Sequence, residues 1–230
     1  MEKSPNKKLL VFISFVILLI ILVATYFLAW RPSDSDYEVA SKNLDAVTNS
    51  YATLELELLM AKSPDKISNI TSLKIGVLSE LFDESLGTFL GSGVISRDFA
   101  VGATMNKHRE SFTKYNDSVK KLAQSMKIYT TIVNSCNAYI KSDKQNTNDL
   151  LNKCENALEN GAKSEYEPFN NQFFDNYRTQ VGDFVSDTDN KNGELPQPPS
   201  KQLDYKLPVL IDGIEEIETV LNTQKTAFWR

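Results

Sequence analysis

Residues 108–140, HRESFTKYNDSVKKLAQSMKIYTTIVNSCNAYI, carry the clearest structural signal in this chain. Their apolar positions alternate in steps of three and four without interruption, the spacing of one face of an α-helix. The series comprises His108, Phe112, Tyr115, Val119, Leu122, Met126, Tyr129, Val133, Cys136 and Ile140. At 1.5 Å per residue, the predicted helix is roughly 50 Å long and has one buried seam.

Seams of the same kind lie on both sides of this segment. One run, from Tyr37 to Ala61, begins near Ser35 and Glu38, which fit a capping box. A shorter helix is predicted from Ser63-Pro64-Asp65 to about Asp83. Its seam consists of Ile67, Ile70, Lys74, Val77 and Leu81. The pattern indicates an all-α protein whose helices bury coiled-coil-like seams.

Further along the chain the helical pattern is interrupted. A fourth run covers residues 151–184, and Gly161 and Pro168 inside it predict a kink or break. Residues 84–103 hold four of the nine glycines and predict an apolar loop. Residues 31–186 are therefore expected to form an antiparallel bundle of four to five long helices. A polar linker over 187–202 and a packed C-terminal helix over 203–230 complete the predicted organisation.

The two cysteines test the register of the predicted hairpin. Cys136 and Cys154 both occupy seam positions, and each lies nine residues from a turn centred near residue 145. In an antiparallel hairpin such residues face each other at the same level. We therefore predict a Cys136–Cys154 disulfide. The alternative is a pair of buried free cysteines that pack as small hydrophobes.

Residues 9–30, LLVFISFVILLIILVATYFLAW, contain 22 residues without a charge, enough to span a bilayer as one transmembrane helix. The predicted span is an uncleaved signal anchor. Three lysines precede it and acidic residues follow it, so residues 1–8 are expected to form a cytoplasmic tail. The remainder is then an extracytoplasmic domain on the cell membrane. Residues 1–30 contribute +2 to the net charge of −5, which leaves −7 for residues 31–230.

Composition excludes several functional classes. The acidic balance, with a pI near 5.1, argues against nucleic-acid binding. One histidine and two cysteines provide too few ligands for a standard zinc site, and no cofactor motif is present. His108, the only histidine, precedes a regular seam without a suitably spaced nucleophile. We interpret it as a packed or capping residue rather than a catalytic one.

Two apolar segments are candidate contact sites for a protein or cell-envelope partner. Large apolar residues that stay exposed usually mark contact surfaces. The candidates are Phe89, Leu90, Val94, Ile95 and Phe99 in the predicted loop, and Phe228 and Trp229 at the C-terminus. The alternative places the loop as a lid over the bundle core and packs the two C-terminal aromatics against the bundle.

The sequence favours a non-enzymatic, membrane-anchored envelope protein that acts as a scaffold or accessory interaction subunit. A second hypothesis is a module that senses a small ligand and signals through a partner protein. A pocket in the bundle core would then be lined by Tyr115, Tyr129, Tyr166 and Tyr177. Ordinary seam packing explains the same four tyrosines without a ligand.

Overall fold

The computed structural model describes residues 7–25, 30–142, 147–187 and 194–226. The helices are α1 (Lys7–Thr25), α2 (Asp34–Met60), α3 (Asn69–Leu90), α4 (Gly93–Arg97), α5 (Phe99–Ile140), α6 (Thr147–Gly161), α7 (Glu167–Phe169), α8 (Asp175–Ser186) and α9 (Ile211–Thr226). A 3₁₀ turn at Pro64–Lys66 precedes α3, and a π-helical turn at Asn170–Phe174 joins α7 to α8. No strand occurs in these ranges, so the all-α prediction is confirmed for them.

Four helices close into a bundle. α2 packs against α3, α3 against α5, α5 against α9, and α9 against α2. The Lys225 ammonium at the end of α9 lies 3.3 Å from the Glu38 carboxylate at the start of α2. Glu57, near the end of α2, pairs with Lys74, near the start of α3. Neighbouring helices in the bundle are therefore antiparallel, as predicted.

The bundle core contains a triad of aromatic rings from three helices. The Tyr115 ring lies 5.2 Å from the Tyr51 ring and 5.3 Å from the Phe82 ring, both edge to face. Such pairs contribute about 0.5–1.5 kcal/mol beyond the area that they bury. The seam predicted for residues 108–140 is thus a core seam, and α5 is longer than expected because it begins at Phe99.

A second layer packs on the far half of α5. α6 runs back along α5, and α8 contacts both helices. The predicted break is present: α6 ends at Gly161, and the chain becomes helical again at Glu167 with Pro168 in the first turn. The Tyr129 ring lies 5.1 Å from the Phe173 ring and 5.4 Å from the Tyr177 ring. This aromatic cluster joins the second layer to the four-helix bundle.

The predicted disulfide is supported at the level of distance. The Sγ atoms of Cys136 and Cys154 lie 1.94 Å apart, and both residues are fully buried. The pair connects the end of α5 to α6 across the turn, part of which, residues 143–146, lies outside the described ranges.

Two predicted helix starts are wrong. α2 is capped by Ser33 rather than Ser35, in a capping box with Asp36. Ser63-Pro64-Asp65 forms only the 3₁₀ turn, and α3 begins at Asn69 with Ser68 as its N-cap. Ile67 and Ser68 have extended backbone conformations. Burial of the Ile67 side chain stabilises this non-helical segment before the helix begins.

The predicted loop over 84–103 is also wrong. Residues 84–90 complete α3, residues 93–97 form α4, and α5 begins at Phe99. Of the four glycines in this segment, Gly87 lies inside α3, Gly93 inside α4 and Gly102 inside α5, and Gly91 is the C-cap of α3. Glycine content therefore did not mark a loop here, because three of these four glycines lie within helices.

The C-terminal segment differs from the prediction in its first part. The described part of the linker, residues 194–202, has no regular structure, and this continues to residue 210. Leu203 and Tyr205 are buried, and the Leu203 amide donates to the Lys62 carbonyl oxygen across 2.8 Å. Lys206 has a φ of 52°, which helical residues do not adopt. The predicted helix over 203–230 therefore begins only at Ile211.

The predicted cytoplasmic tail over 1–8 and the predicted membrane span over 9–30 lie partly outside the described residues. α1 covers residues 9–25 of the predicted membrane span, and residues 26–29 are not described. In the ranges that the structure describes, no helix combines the length and apolar character required to cross a bilayer. The side chains described on α1, those of residues 12 and 14–25, are all exposed.

Candidate functional site

Most candidate contact residues of the 84–103 segment belong to the core. Phe89 and Val94 are fully buried, and Leu90 and Ile95 are partly buried against the core. Phe99 differs, because 88% of its surface is exposed. Phe228 and Trp229 lie outside the described residues. These four residues therefore pack in the bundle as parts of α3 and α4 rather than as a loop, which leaves Phe99 as the exposed candidate of this segment.

The seam predicted for α3 lies on the wrong face of the helix. The residues that α3 buries are Ser72, Ile75, Ser79, Phe82, Leu86 and Phe89. Ile70, Val77 and Leu81, assigned to the core from sequence, point away from it. The buried serines Ser72 and Ser79 interrupt the apolar series on the core side of α3, so that series is harder to recognise in the sequence. Their hydroxyls are satisfied within the helix, since Ser72 donates to the Asn69 carbonyl and Ser79 to the Gly76 carbonyl.

α3 therefore has a second apolar stripe that faces outward. It consists of Ile70, Leu73, Val77 and Leu81, which are between 48% and 77% exposed. Their spacing of three, four and four residues is that of a helix-packing seam. A helix that is apolar on two faces normally buries both. Within the described residues, this stripe is the longest regular apolar series left exposed on the bundle.

Two residues at the end of α2 extend the stripe. Glu57 pairs with Lys74, which fixes the level of the two antiparallel helices. Met60 lies about one turn beyond Glu57, and Ile70 about one turn before Lys74, so the two side chains share a level. Leu56 and Met60 are both more than half exposed. We call the six residues Leu56, Met60, Ile70, Leu73, Val77 and Leu81 the α2/α3 face.

The charges beside this face are mainly acidic. Glu80, Asp83 and Glu84 are exposed on α3. Asp83 binds Lys120 of α5 at 2.7 Å and accepts from the Asn116 amide at 2.6 Å. The hydrogen bond from Lys120 lowers the pKa of the Asp83 carboxyl. Lys74, on the side of the face next to α2, forms an ion pair with Glu57. Glu80 and Glu84 therefore make the electrostatic potential along the face negative.

A cleft between the far half of α5, α8 and residues 194–198 is a second candidate site. Its volume is about 720 Å³. Tyr129 and Tyr177, two of the tyrosines proposed for ligand binding, line it together with Asp65 and Lys141. Burial raises the pKa of Tyr177 to about 12. The cleft is thus an open groove with a phenolic wall and charges of both signs.

The other two tyrosines do not join this cleft. Tyr115 donates to the Glu55 carboxylate at 2.7 Å, inside the four-helix bundle. Tyr166 donates to the Tyr205 carbonyl, and burial raises the pKa of Tyr166 to about 12. The four tyrosines therefore do not line one common pocket, because only Tyr129 and Tyr177 reach the cleft. Ordinary packing accounts for Tyr115 and Tyr166.

His108 joins two helices. Its Nε2 lies 2.7 Å from Oε2 of Glu216, and Lys107 also donates to this carboxylate at 2.7 Å and 2.8 Å. The hydrogen bonds from Lys107 and His108 lower the pKa of the Glu216 carboxyl. Gly213 faces the ring, and a Cβ there would lie 3.0 Å from Nδ1. This close approach of α5 and α9 agrees with the interpretation of His108 as a packed residue.

The part of the chain that the structure describes contains no group of three or more His, Cys, Asp or Glu side chains able to hold a metal ion. Comparison with family models, curated proteins and solved structures finds no match to this chain.

Proposed function

We propose that this chain is a non-enzymatic, single-pass membrane protein of the cell envelope, which holds an extracytoplasmic helical bundle against a partner protein. The α2/α3 face is the contact surface in this proposal. Its six exposed apolar residues are the observation that carries the proposal, because core packing within the chain does not account for them.

Sequence and exposure support the membrane anchor. Residues 9–30 form an uncharged segment longer than α1 as described, with lysines before it and acidic residues after it. The described α1 side chains include a continuous series of exposed aliphatic residues from Val16 to Val23. An apolar helix without intramolecular cover is stable when lipid or protein surrounds it. The lysines before the segment support a bundle that lies outside the cytoplasm.

The chemistry of the α2/α3 face specifies the kind of partner. A stripe spaced three and four residues apart accepts the apolar seam of another helix. Glu80 and Glu84 beside the stripe, and the charge of −7 over residues 31–230, favour basic residues on the partner's flanks. The partner proposed is therefore an amphipathic helix of another envelope protein, with an apolar seam and lysine or arginine beside it.

Co-purification from native membranes in mild detergent tests this proposal. Wild type is compared with Val77→Glu on the face, and with Val209→Glu as a control at an exposed valine outside it. The proposal predicts that wild type and Val209→Glu retain a stoichiometric partner, whereas Val77→Glu loses it and still folds. Equal retention by all three proteins would contradict the assignment of the face.

The cleft beside Tyr177 supports a second candidate, a small-ligand sensor. Its volume of about 720 Å³ lies in the usual range of small-molecule sites. A thermal-shift screen with a panel of small metabolites tests this function, with Tyr177→Phe as the matched variant. A shift of several degrees for one metabolite, reduced in the variant, would favour it over the interaction subunit. No shift across the panel would remove the basis for it.

A further inference from the structure

The end of the bundle where α2 begins carries two exposed aromatic side chains. Trp30 is 67% exposed and Phe99 is 88% exposed. Trp30 lies three residues before Ser33, the N-cap of α2, and Phe99 is the first residue of α5. The two aromatics are far apart in sequence, so their proximity depends on how α2 and α5 meet.

Two contacts bring these chain segments together. The Tyr37 hydroxyl of α2 donates to Oδ2 of Asp98 across 2.5 Å, and Asp98 is the N-cap of α5. An Arg97 nitrogen lies 3.1 Å from Oδ2 of Asp36. Residues adjacent to Phe99 are therefore bound to the first turn of α2. Phe99 must lie at the level where the chain enters the bundle from residues 9–30.

We propose that Phe99 is a membrane-contact residue, inserted with Trp30 into the interface of the bilayer that holds residues 9–30. This inference depends on the membrane anchor of the proposed function. Trp30 closes the predicted span, at the depth where aromatic side chains concentrate in membrane proteins. Phe99 presents an almost fully exposed ring at the same end of the bundle. The occupant of this surface is lipid.

The charges at this end indicate apolar rather than electrostatic contact with lipid. Among the described residues at this end, Asp34, Asp36 and Glu38 of α2 offset Arg31, Arg97 and Lys225, so these residues form no basic patch of the kind that binds anionic headgroups. Insertion should therefore occur into zwitterionic phosphatidylcholine and should be insensitive to salt. The end of the bundle at which α2 begins then contacts the membrane. The α2–α3 turn lies at the opposite end, roughly 40 Å from the membrane, which is the length of α2.

Single-tryptophan fluorescence in the full chain tests the inference. Three variants are reconstituted into phosphatidylcholine vesicles with and without dibrominated acyl chains, which quench tryptophans that contact them. Trp229→Phe leaves Trp30 as the only tryptophan. The second variant replaces both native tryptophans, by Trp30→Phe and Trp229→Phe, and adds Phe99→Trp. The third instead adds Ile70→Trp, an exposed position on α3 at the far end of the bundle.

The inference predicts that brominated lipid removes a large part of the emission of Trp30 and of the tryptophan at 99. The tryptophan at 70 should keep its emission, and high salt should change none of these results. Quenching at 30 but not at 99 would overturn the inference and leave the anchor intact. Quenching at both 99 and 70 would overturn the upright orientation. If the vesicles are separated by flotation and the protein does not float with them, the anchor and this inference are both overturned.

Discussion

The Tyr37 hydroxyl donates a 2.5 Å hydrogen bond to Oδ2 of Asp98, while Oδ1 of Asp98 accepts from the amides of Ala100 and Val101. One buried carboxylate thus caps α5 and joins it to α2, 61 residues away in sequence. Burial raises the pKa of Tyr37 above its usual value, and the hydrogen bond to Asp98 and the negative charge of Asp98 raise it further.

This contact predicts that Asp98→Ala is strongly destabilising. The variant loses an N-cap, which contributes about 1 kcal/mol, and leaves a buried hydroxyl without its acceptor, which costs about 1–3 kcal/mol. We expect the free energy of unfolding to fall by about 2–4 kcal/mol in urea denaturation followed by circular dichroism. Asp98→Asn keeps a capping oxygen and should lose less. Equal losses in the two variants would show that capping is unimportant here.

The Cys136–Cys154 pair predicts a redox-dependent stability. It closes a loop across 18 positions of sequence separation. In the chain-entropy model such a loop contributes about 3 kcal/mol. We expect Cys136→Ser together with Cys154→Ser to lower the free energy of unfolding by roughly this amount. Unreduced protein, unfolded in urea, should not react with an alkylating agent. Reaction at both thiols would contradict the disulfide.

Regular seams could be read from the sequence, and so could the register that they imply. The run from His108 to Ile140 is uninterrupted, and the Cys136–Cys154 pairing followed from counting residues on each side of a turn. Both depend on local periodicity, which a single sequence contains. The break between Gly161 and Pro168 was equally local, because proline cannot continue a helix without losing a hydrogen bond.

The face of α3 could not be assigned in the same way. Ile70 and Val77 follow one apolar series, and Ile75 and Phe82 follow another, with Ser72 and Ser79 interrupting the second. Periodicity alone does not tell which of two series faces the core. The choice depends on tertiary packing against α2 and α5.

The extended course of residues 203–210 is also set by distant contacts. The Tyr205 hydroxyl donates to the Ala61 carbonyl, and Gln172 makes two hydrogen bonds with the Asp204 backbone. These partners lie 32 and 144 residues away, so no local pattern could reveal them. The helix predicted over 203–230 is therefore wrong for residues 203–210.

The two faces of α3 predict opposite responses to the same substitution. Ile75 is fully buried, so Ile75→Asp places an unpaired carboxylate in the core and should prevent stable folding. Val77 is exposed, and Val77→Asp should change the free energy of unfolding by only about 0.5 kcal/mol. Circular dichroism and urea denaturation distinguish the two variants. If Val77→Asp unfolds the protein and Ile75→Asp does not, the assigned faces are reversed.

Tyr177 predicts a loss of stability in alkali. Burial raises its pKa in the folded state to about 12, against about 10 for an exposed tyrosine. The unfolded chain therefore ionises first. The contribution is complete below pH 10 and is lost as the pH rises from about 10 to about 12. We expect Tyr177→Phe to reduce the slope of stability against pH in this window. Identical slopes in the two proteins would contradict the effect of burial.

We propose above that the α2/α3 face binds a helix of another envelope protein. The most direct test of this proposal is photo-crosslinking in intact cells, with a benzophenone amino acid at Val77 and, as a control, at Val209. We expect one adduct of defined mass from position 77 and none from position 209, and the crosslinked partner peptide should be amphipathic and basic. Indiscriminate labelling from both positions, or no adduct from position 77, would contradict it.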